Sequence, residues 1–289
     1  NNSEQIDDID YGDGVRPKAG GERKSKDFYT VLILGRDTGG GGNTDTMLLA
    51  SYDVTNQKAT VMSIPRDTMV NVPWDIKRIN SVYNYYGGGE KGIKALYKEI
   101  AQLVGFEPDY QVVVEWDAVG EIVKAMGGVY YDVPRNMNYD DPYQDLHIHF
   151  TKGPRHLNGQ EAMEVVRFRH NNDGTGYGSE DLGRMQTQQK FLKAVAKKML
   201  TASNILTKID DYAKIFNQYV DTNLTVGNLA WLCTEVLKMG VDKIDFSTLP
   251  NEWRSPYIYL IPDETLTLVN TYLNPYVEDR TAEDLHLPS

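Results

Sequence analysis

The chain has a single cysteine, Cys233, so no disulfide framework can form within it. Its apolar setting, Leu229-Ala230-Trp231-Leu232-Cys233, reads as a buried structural thiol rather than a reactive one. No run of about 18 apolar residues occurs, so no segment of these 289 residues is expected to span a bilayer. The N-terminus lacks the apolar stretch of a signal peptide and reads as a cut end. Basic charge is short: 30 Lys and Arg against 41 Asp and Glu give a net charge of −11. Nucleic-acid binding needs a basic stripe, so a nucleic-acid partner is not expected and any anion must be held locally. The glycine-rich run after Thr38 lacks a Gly-Lys-Ser/Thr ending, which argues against an ordinary nucleoside triphosphatase. No Ser-His-Asp or Cys-His pattern is legible, so a covalent serine mechanism lacks support. His147 and His149 alternate on one side of a predicted strand, but no third ligand follows at a sensible spacing, and a metal pair there is not expected.

What is present is an alternation of strands and helices. Tyr29–Leu34, Met47–Tyr52 and Thr60–Ile64 read as strands, the last two joined by a hairpin-like connection at 53–58. Ile93, Leu96, Tyr97, Ile100, Leu103 and Val104 fall at helical spacing, predicting an amphipathic helix over 90–104 closed by Gly105. A strand over 110–115, a helix over 117–126 and a strand over 129–133 follow. The acidic stretch 136–145 reads as a surface loop. Asn158 with Glu161 has capping spacing and starts a helix through Val166, and a longer helix is predicted from about Asp181 to Leu200. Beyond Ser203 come helical segments, strands at 243–249 and 257–261, and a last helix over 263–273. This pattern predicts an α/β fold, a central mixed β-sheet flanked by helices on both faces. The expected organisation is a disordered tether over 1–27, one domain over 28–274, and a loosely ordered tail over 275–289.

Three constellations can carry chemistry. Gly35-Arg36-Asp37-Thr38, four glycines and Asn43-Thr44-Asp45-Thr46 bring two carboxylates to the mouth of adjacent strands. Magnesium takes one or two protein carboxylates, so Asp37 and Asp45 suffice for it. The bland alternative is a turn whose aspartates bond nearby amides. Ser63-Ile64-Pro65-Arg66-Asp67-Thr68 presents Arg66 at a strand end, or forms only an Arg-Asp surface pair, and Arg78 comes close behind. The third runs from Asn158 to Gln189, where a capped helix delivers Arg167 and Arg169 near its end and the next carries Arg184 and Gln188 one turn apart. Arginine forks match phosphate oxygens, which suggests a diphosphate site. Cations near a helix C-terminus also need no ligand, yet Arg184 is placed in a first turn, where a cation is disfavoured.

Taken together, Leu32-Ile33-Leu34-Gly35-Arg36-Asp37, Asp45-Thr46-Met47, Ser63-Ile64-Pro65-Arg66-Asp67, Arg78-Ile79-Asn80 and Asp181-Leu182-Gly183-Arg184 resemble the LytR-CpsA-Psr family in order and spacing. Ala125–Val129, Leu157–Ala162 and Val166–Arg169 support the likeness, which covers about Phe28 to Leu200 and, weakly, the segment through Asn274. The resemblance implies an α-β-α layered enzyme of the cell envelope of a Gram-positive bacterium. It would sit on the outer face of the cytoplasmic membrane, held by an N-terminal membrane anchor outside this sequence. Such enzymes transfer anionic glycopolymers, teichoic acid or capsular polysaccharide, from a polyprenyl diphosphate carrier onto peptidoglycan. By the same resemblance Asp37 and Asp45 hold Mg2+, while Arg66, Arg167, Arg169 and Arg184 grip the diphosphate, with Arg78 and Gln188 expected beside them. Arg78 stands where a lysine is common, Thr187 where an arginine is common, and Asn43 where a basic residue often precedes the metal-side aspartate. Charge is kept at the first and lost at the other two.

The expected chemistry is phosphoryl transfer, with Arg66, Asp67 and Arg184 as the catalytic set and Asp67 or Asp45 taking the hydroxyl proton. A prenyl tail would need an apolar tunnel. Val112-Val113-Val114 and the helix with Ile122 and Val123 are candidates, although they read equally as core. Two rivals use the same residues: a polyprenyl-diphosphate diphosphatase, and a non-catalytic lipid-carrier binding protein.

Overall fold

The computed structural model describes residues 21–36, 44–177 and 180–288. In chain order the elements are β1 (Phe28–Arg36), β2 (Thr44–Asp53), β3 (Lys58–Ser63), α1 (Val82–Tyr85), α2 (Gly89–Val104), β4 (Tyr110–Glu115), α3 (Trp116–Ala125) and β5 (Val129–Val133). There follow β6 (Met137–Asp141), β7 (Leu146–Phe150), β8 (Gly153–Leu157), α4 (Gly159–Arg167), α5 (Glu180–Met199), α6 (Ala202–Tyr219), β9 (Val220–Thr222) and α7 (Val226–Met239). The chain ends with β10 (Ile244–Thr248), β11 (Asn251–Arg254), β12 (Tyr257–Leu260) and α8 (Pro262–Leu268), which continues as a π-turn over Val269–Leu273. The chain forms two compact units. Of the described residues, the first is drawn from 21–36, 44–113 and 221–288, the second from 114–177 and 180–220.

The first unit is built on a six-stranded sheet in the order β10-β3-β2-β1-β4-β9. β1 and β3 each pair antiparallel with β2, while β10 runs parallel to β3, so the sheet is mixed as expected. Strand alternation sends Leu32, Leu34, Met47, Leu49, Met62 and Ile64 into one core, where α2 contributes Ile93, Leu96, Tyr97, Ile100, Leu103 and Val104. The opposite face carries Tyr29, Val31, Tyr110 and Val112 against Leu229, Trp231 and Leu232 of α7. Helices therefore cover both faces. Each large apolar side chain buried this way contributes about 1.5–3 kcal/mol. α2 ends at Gly105, whose φ of 86° is the left-handed cap that glycine adopts without strain.

Residues 1–20 of the expected tether lie outside the described residues. The rest of it, and the tail expected to be loose, are anchored to one another. Lys24 N donates to Pro275 O and Val277 N to Glu22 O, both at 2.8 Å. Tyr276, Arg280 and Leu285 are buried. Arg23 reaches Asp109 with both guanidinium nitrogens, at 3.0 and 2.6 Å. Two polar ends satisfy each other's backbone groups, which composition alone could not reveal.

The second unit packs α3, α4 and α5 on two small antiparallel ladders, β5 with β8 and β6 with β7. Asn158 caps α4 with a full capping box, its side chain accepting from Glu161 N at 2.9 Å while Asn158 N donates to the Glu161 carboxylate at 3.1 Å. Asn158→Ala is expected to cost about 1 kcal/mol, read as a lowered midpoint in urea denaturation. A Cβ on Gly159 would lie 2.5 Å from Gly120 O, so glycine permits the close crossing of α3 and α4.

The 136–145 stretch is corrected from surface loop to hairpin. Asn138 and Asp140 expose their side chains, while Met137 on β6 and Ile148 and Phe150 on β7 enter the core. The loop side chains of Asn171 and Asn172 accept from Asn138 N and Asp140 N, both at 2.6 Å. β11 was also not expected; it pairs with β12. The proposed tunnel residues are core: Val113 and Val112 pack on opposite faces of the large sheet, and Val123 belongs to the second unit's core.

Candidate functional site

In the first unit the ends of β1, β2 and β3 assemble a charged cluster. Arg36 pairs with Thr44 and Gly35 with Thr46, so the register skips Asp45, which becomes the extra residue of a β-bulge. Such bulges interrupt pairing at sheet edges and beside active sites. Asp37 lies outside the described residues, and of Asp45 only the backbone is described; the residues preceding each are strand partners. Past β3, the segments around Arg66 and Arg78 run side by side. Ile79 N donates to Thr68 O at 2.8 Å, Asn80 N to Arg66 O at 3.2 Å, and Met69 bridges Arg78. Thr44 Oγ1 donates to Asn80 O at 3.2 Å, which ties the start of β2 to the same place.

This ladder sets the Asp67 carboxylate against both guanidiniums, with Oδ1 3.4 Å from Arg78 Nε and 3.9 Å from Arg66 Nε. Arg78 Nη2 also donates to Pro256 O at 3.2 Å, and its guanidinium lies 5.6 Å from the centre of the Tyr257 ring. Arg36 adds a third cation, held by Asn84 Oδ1 at 3.3 Å and lying 5.0 Å from the Tyr83 ring centre. Arg36 is not among the residues expected from the sequence, although it stands inside the Gly35-Arg36-Asp37 motif. Among the described side chains, Arg66 and Arg78 flank the Asp67 carboxylate and Arg36 stands at the neighbouring strand end, an arrangement of arginine forks that suits phosphate oxygens.

The second unit carries the other expected residues. Arg167 ends α4, 3.6 Å from Asp117 Oδ1. Buried Phe168 follows in extended conformation, and Arg169 beyond it is exposed. Gln188 is buried and donates through Nε2 to Val166 O at 3.4 Å, which joins α5 to the end of α4. Arg184 is 6% exposed. Because α5 begins at Glu180, Arg184 is its fifth residue rather than a first-turn residue, and its burial sets it apart more than its place on the helix. A guanidinium so deeply buried is kept only where compensated. Thr187, where charge is lost relative to the family pattern, is buried and bonds Gly183 O through Oγ1 at 3.0 Å. Arg135, which the sequence reading passed over, lies 5.8 Å from the Phe168 and Tyr177 ring centres.

His147 and His149 do share a face, but both engage Asp140 Oδ1, at 2.7 and 2.9 Å. The hydrogen bond to Asp140 raises the His147 pKa above its ordinary value. Among the described residues no group of three His, Cys, Asp or Glu side chains is arranged to hold a metal ion. Burial pushes the Cys233 thiol up to about 11. Alkylation at pH 8 is therefore expected to be far slower than for an exposed thiol, which a timed iodoacetamide reaction checks.

The model of the LytR_cpsA_psr family matches residues 3–274. The chain belongs to the LytR_cpsA_psr family. Regulatory protein MsrR of Staphylococcus aureus (strain COL) is 30% identical over 209 residues, which cover 71% of this chain and 59% of MsrR. The polyisoprenyl-teichoic acid–peptidoglycan teichoic acid transferase TagV of Bacillus subtilis (strain 168) is 30% identical over 214 residues, covering 71% of this chain and 52% of TagV. The chain thus spans little more than half the length of these curated relatives. The crystal structure of B. subtilis TagV superposes with a TM-score of 0.67 at 26% identity, covering 86% of this chain and 96% of that one. This LytR_cpsA_psr member shares the mixed sheet and helical layers of its structural relatives. Among the described residues no helix is long and apolar enough to cross a membrane.

Proposed function

We propose that this chain is a phosphotransferase that moves an anionic glycopolymer from a polyprenyl diphosphate carrier onto a peptidoglycan sugar hydroxyl, at the outer face of the cytoplasmic membrane. The observation that carries the reading is the cluster of Arg36, Arg66, Asp67 and Arg78 at the strand ends beside Asp45. Membership of a family that includes a teichoic acid transferase supports it. The acceptor hydroxyl oxygen attacks the polymer-linked phosphorus, the bond to the prenyl phosphate oxygen breaks, and polyprenyl phosphate leaves. Arg66 and Arg78 donate to phosphate oxygens whose charge redistributes in the transition state, and Asp67 holds both guanidiniums in place. The family pattern assigns diphosphate binding to Arg167, Arg169 and Arg184 as well, and Gln188, one turn from Arg184 on α5, is expected to join them. Asp67 or Asp45 accepts the hydroxyl proton.

Two carboxylates match what magnesium takes from protein, and the strand pairing that sets the predecessors of Asp37 and Asp45 together fits a shared ion. Magnesium bound there would neutralise and orient the diphosphate.

The test is incubation with a lipid-diphosphate-linked sugar, peptidoglycan fragments and magnesium. Ligated product is the expected result. Free sugar phosphate as the main product would make the chain a diphosphatase, and unchanged bound lipid would make it a carrier-binding protein; either outcome overturns the transfer reading.

A further inference from the structure

Beside α2 the first unit holds a cavity of 280 Å³ whose walls include Trp74, Tyr86, Lys91, Lys94, Lys98 and Glu99. Its size is at the lower end of small-molecule pockets, roughly 300 Å³, and suits one sugar ring rather than a chain. Lys91, Lys94 and Lys98 recur at three- and four-residue steps, so α2 presents them on one face. In a chain of net charge −11 this is a local basic surface. All three lysines are exposed.

The aromatic wall is preorganised. The Trp74 indole stacks on Tyr85 with ring centres 3.8 Å apart and an interplanar angle of 11°, and Tyr86 meets it edge-on at 5.9 Å. Trp74 Nε1 already donates to Ser81 Oγ at 3.0 Å, so the indole offers the cavity its apolar ring surface. Glu99 supplies the polar element. Its Oε2 is shut off from solvent and accepts no hydrogen bond, and burial raises the carboxyl pKa. Leaving such an acceptor unsatisfied costs the fold, and a ligand hydroxyl would satisfy it.

We infer that this cavity is a binding site for an anionic saccharide unit. The rings of Trp74 and Tyr86 pack against the sugar, the Glu99 side chain turns its carboxyl into the cavity to accept from a hydroxyl, and the α2 lysines hold the phosphate or carboxylate. The site stands whether or not the chain transfers a polymer. It is also tied to the arginine cluster, because Ser81 Oγ, which accepts from Trp74, donates to Arg78 O at 2.7 Å.

Glucose 1-phosphate titrated into the whole chain, followed by tryptophan fluorescence with Trp74→Phe identifying the responding indole, tests the inference. Tyr86 and Lys94 are exposed, so Tyr86→Ala and Lys94→Gln keep the fold and are each expected to weaken binding about tenfold. The methyl phosphodiester of the same sugar, run in parallel, separates two sources. Tighter diester binding supports the site as one for a polymer repeat, and tighter monoester binding supports a free sugar phosphate. Four results would overturn the inference: no saturable binding of either probe, inorganic phosphate binding as tightly as the sugar phosphate, loss of binding in Arg66→Ala but in neither pocket variant, or anionic phospholipid vesicles binding through Tyr86 and Lys94 while the sugar phosphate does not.

Discussion

Arg66→Ala is expected to lower turnover by about 10²- to 10³-fold, the size of effect seen when one preorganised donor to a developing phosphate or oxyanion charge is removed. The side chain's ion pair to Asp67 is 3.9 Å long, and it is the backbone carbonyl of Arg66 that ties the ladder to Asn80, which substitution leaves intact. Stability should therefore change by less than about 1 kcal/mol. Arg66→Lys keeps the charge but loses the planar fork, so it should recover only part of the activity. Initial rates of product formation, paired with urea denaturation of the same variants, check this. Full activity in Arg66→Ala would remove the residue from the mechanism.

Asp109→Ala carries the largest expected effect on stability, about 3–5 kcal/mol. The carboxylate is fully buried and takes both nitrogens of Arg23, and it also accepts from Thr30 N at 3.0 Å. Removing it leaves the part-buried Arg23 guanidinium without its carboxylate, though Nη2 keeps Phe28 O at 2.8 Å, and takes the side-chain acceptor from the buried Thr30 amide. Arg23 lies in the segment paired with residues 275–277, so both chain ends should loosen together. Urea denaturation gives the free energy, and limited proteolysis should show early cleavage near both ends. Asp109→Asn, which keeps an acceptor for Thr30 N, should lose less. A cost below about 1 kcal/mol for the alanine variant would mean that the clasp does not hold the ends.

The strands and helices lining the large core were legible because their signals are local: two-residue alternation in β1 to β3, helical spacing and a terminal glycine in α2, and a capping box at Asn158. What was missed depends on distant partners. The β6–β7 hairpin looked like an acidic loop because its charged residues face solvent, while its backbone is steadied by Asn171 and Asn172, about 30 residues away. Residues 22–24 and 275–277 carry no local signal because their partners are each other. The first unit is assembled from both ends of the chain, and no composition shift marks its boundary with the second.

The site was legible in part. Arg66, Asp67 and Arg78 were picked out by motif, and the ladder between their segments places them together. Arg36 was missed because a lone arginine before a glycine-rich run has no local signature. For Arg184 the sequence suggested helix-end electrostatics, whereas its burial is the feature that sets it apart.

The most direct test of the account is titration of a short-chain prenyl diphosphate into the chain with and without magnesium, by calorimetry, for the wild type, Asp45→Ala and Arg66→Ala. The account predicts magnesium-enhanced binding in the wild type, loss of the enhancement in Asp45→Ala, and at least about tenfold weaker binding in Arg66→Ala. Equal affinity for all three proteins, indifferent to magnesium, would contradict it.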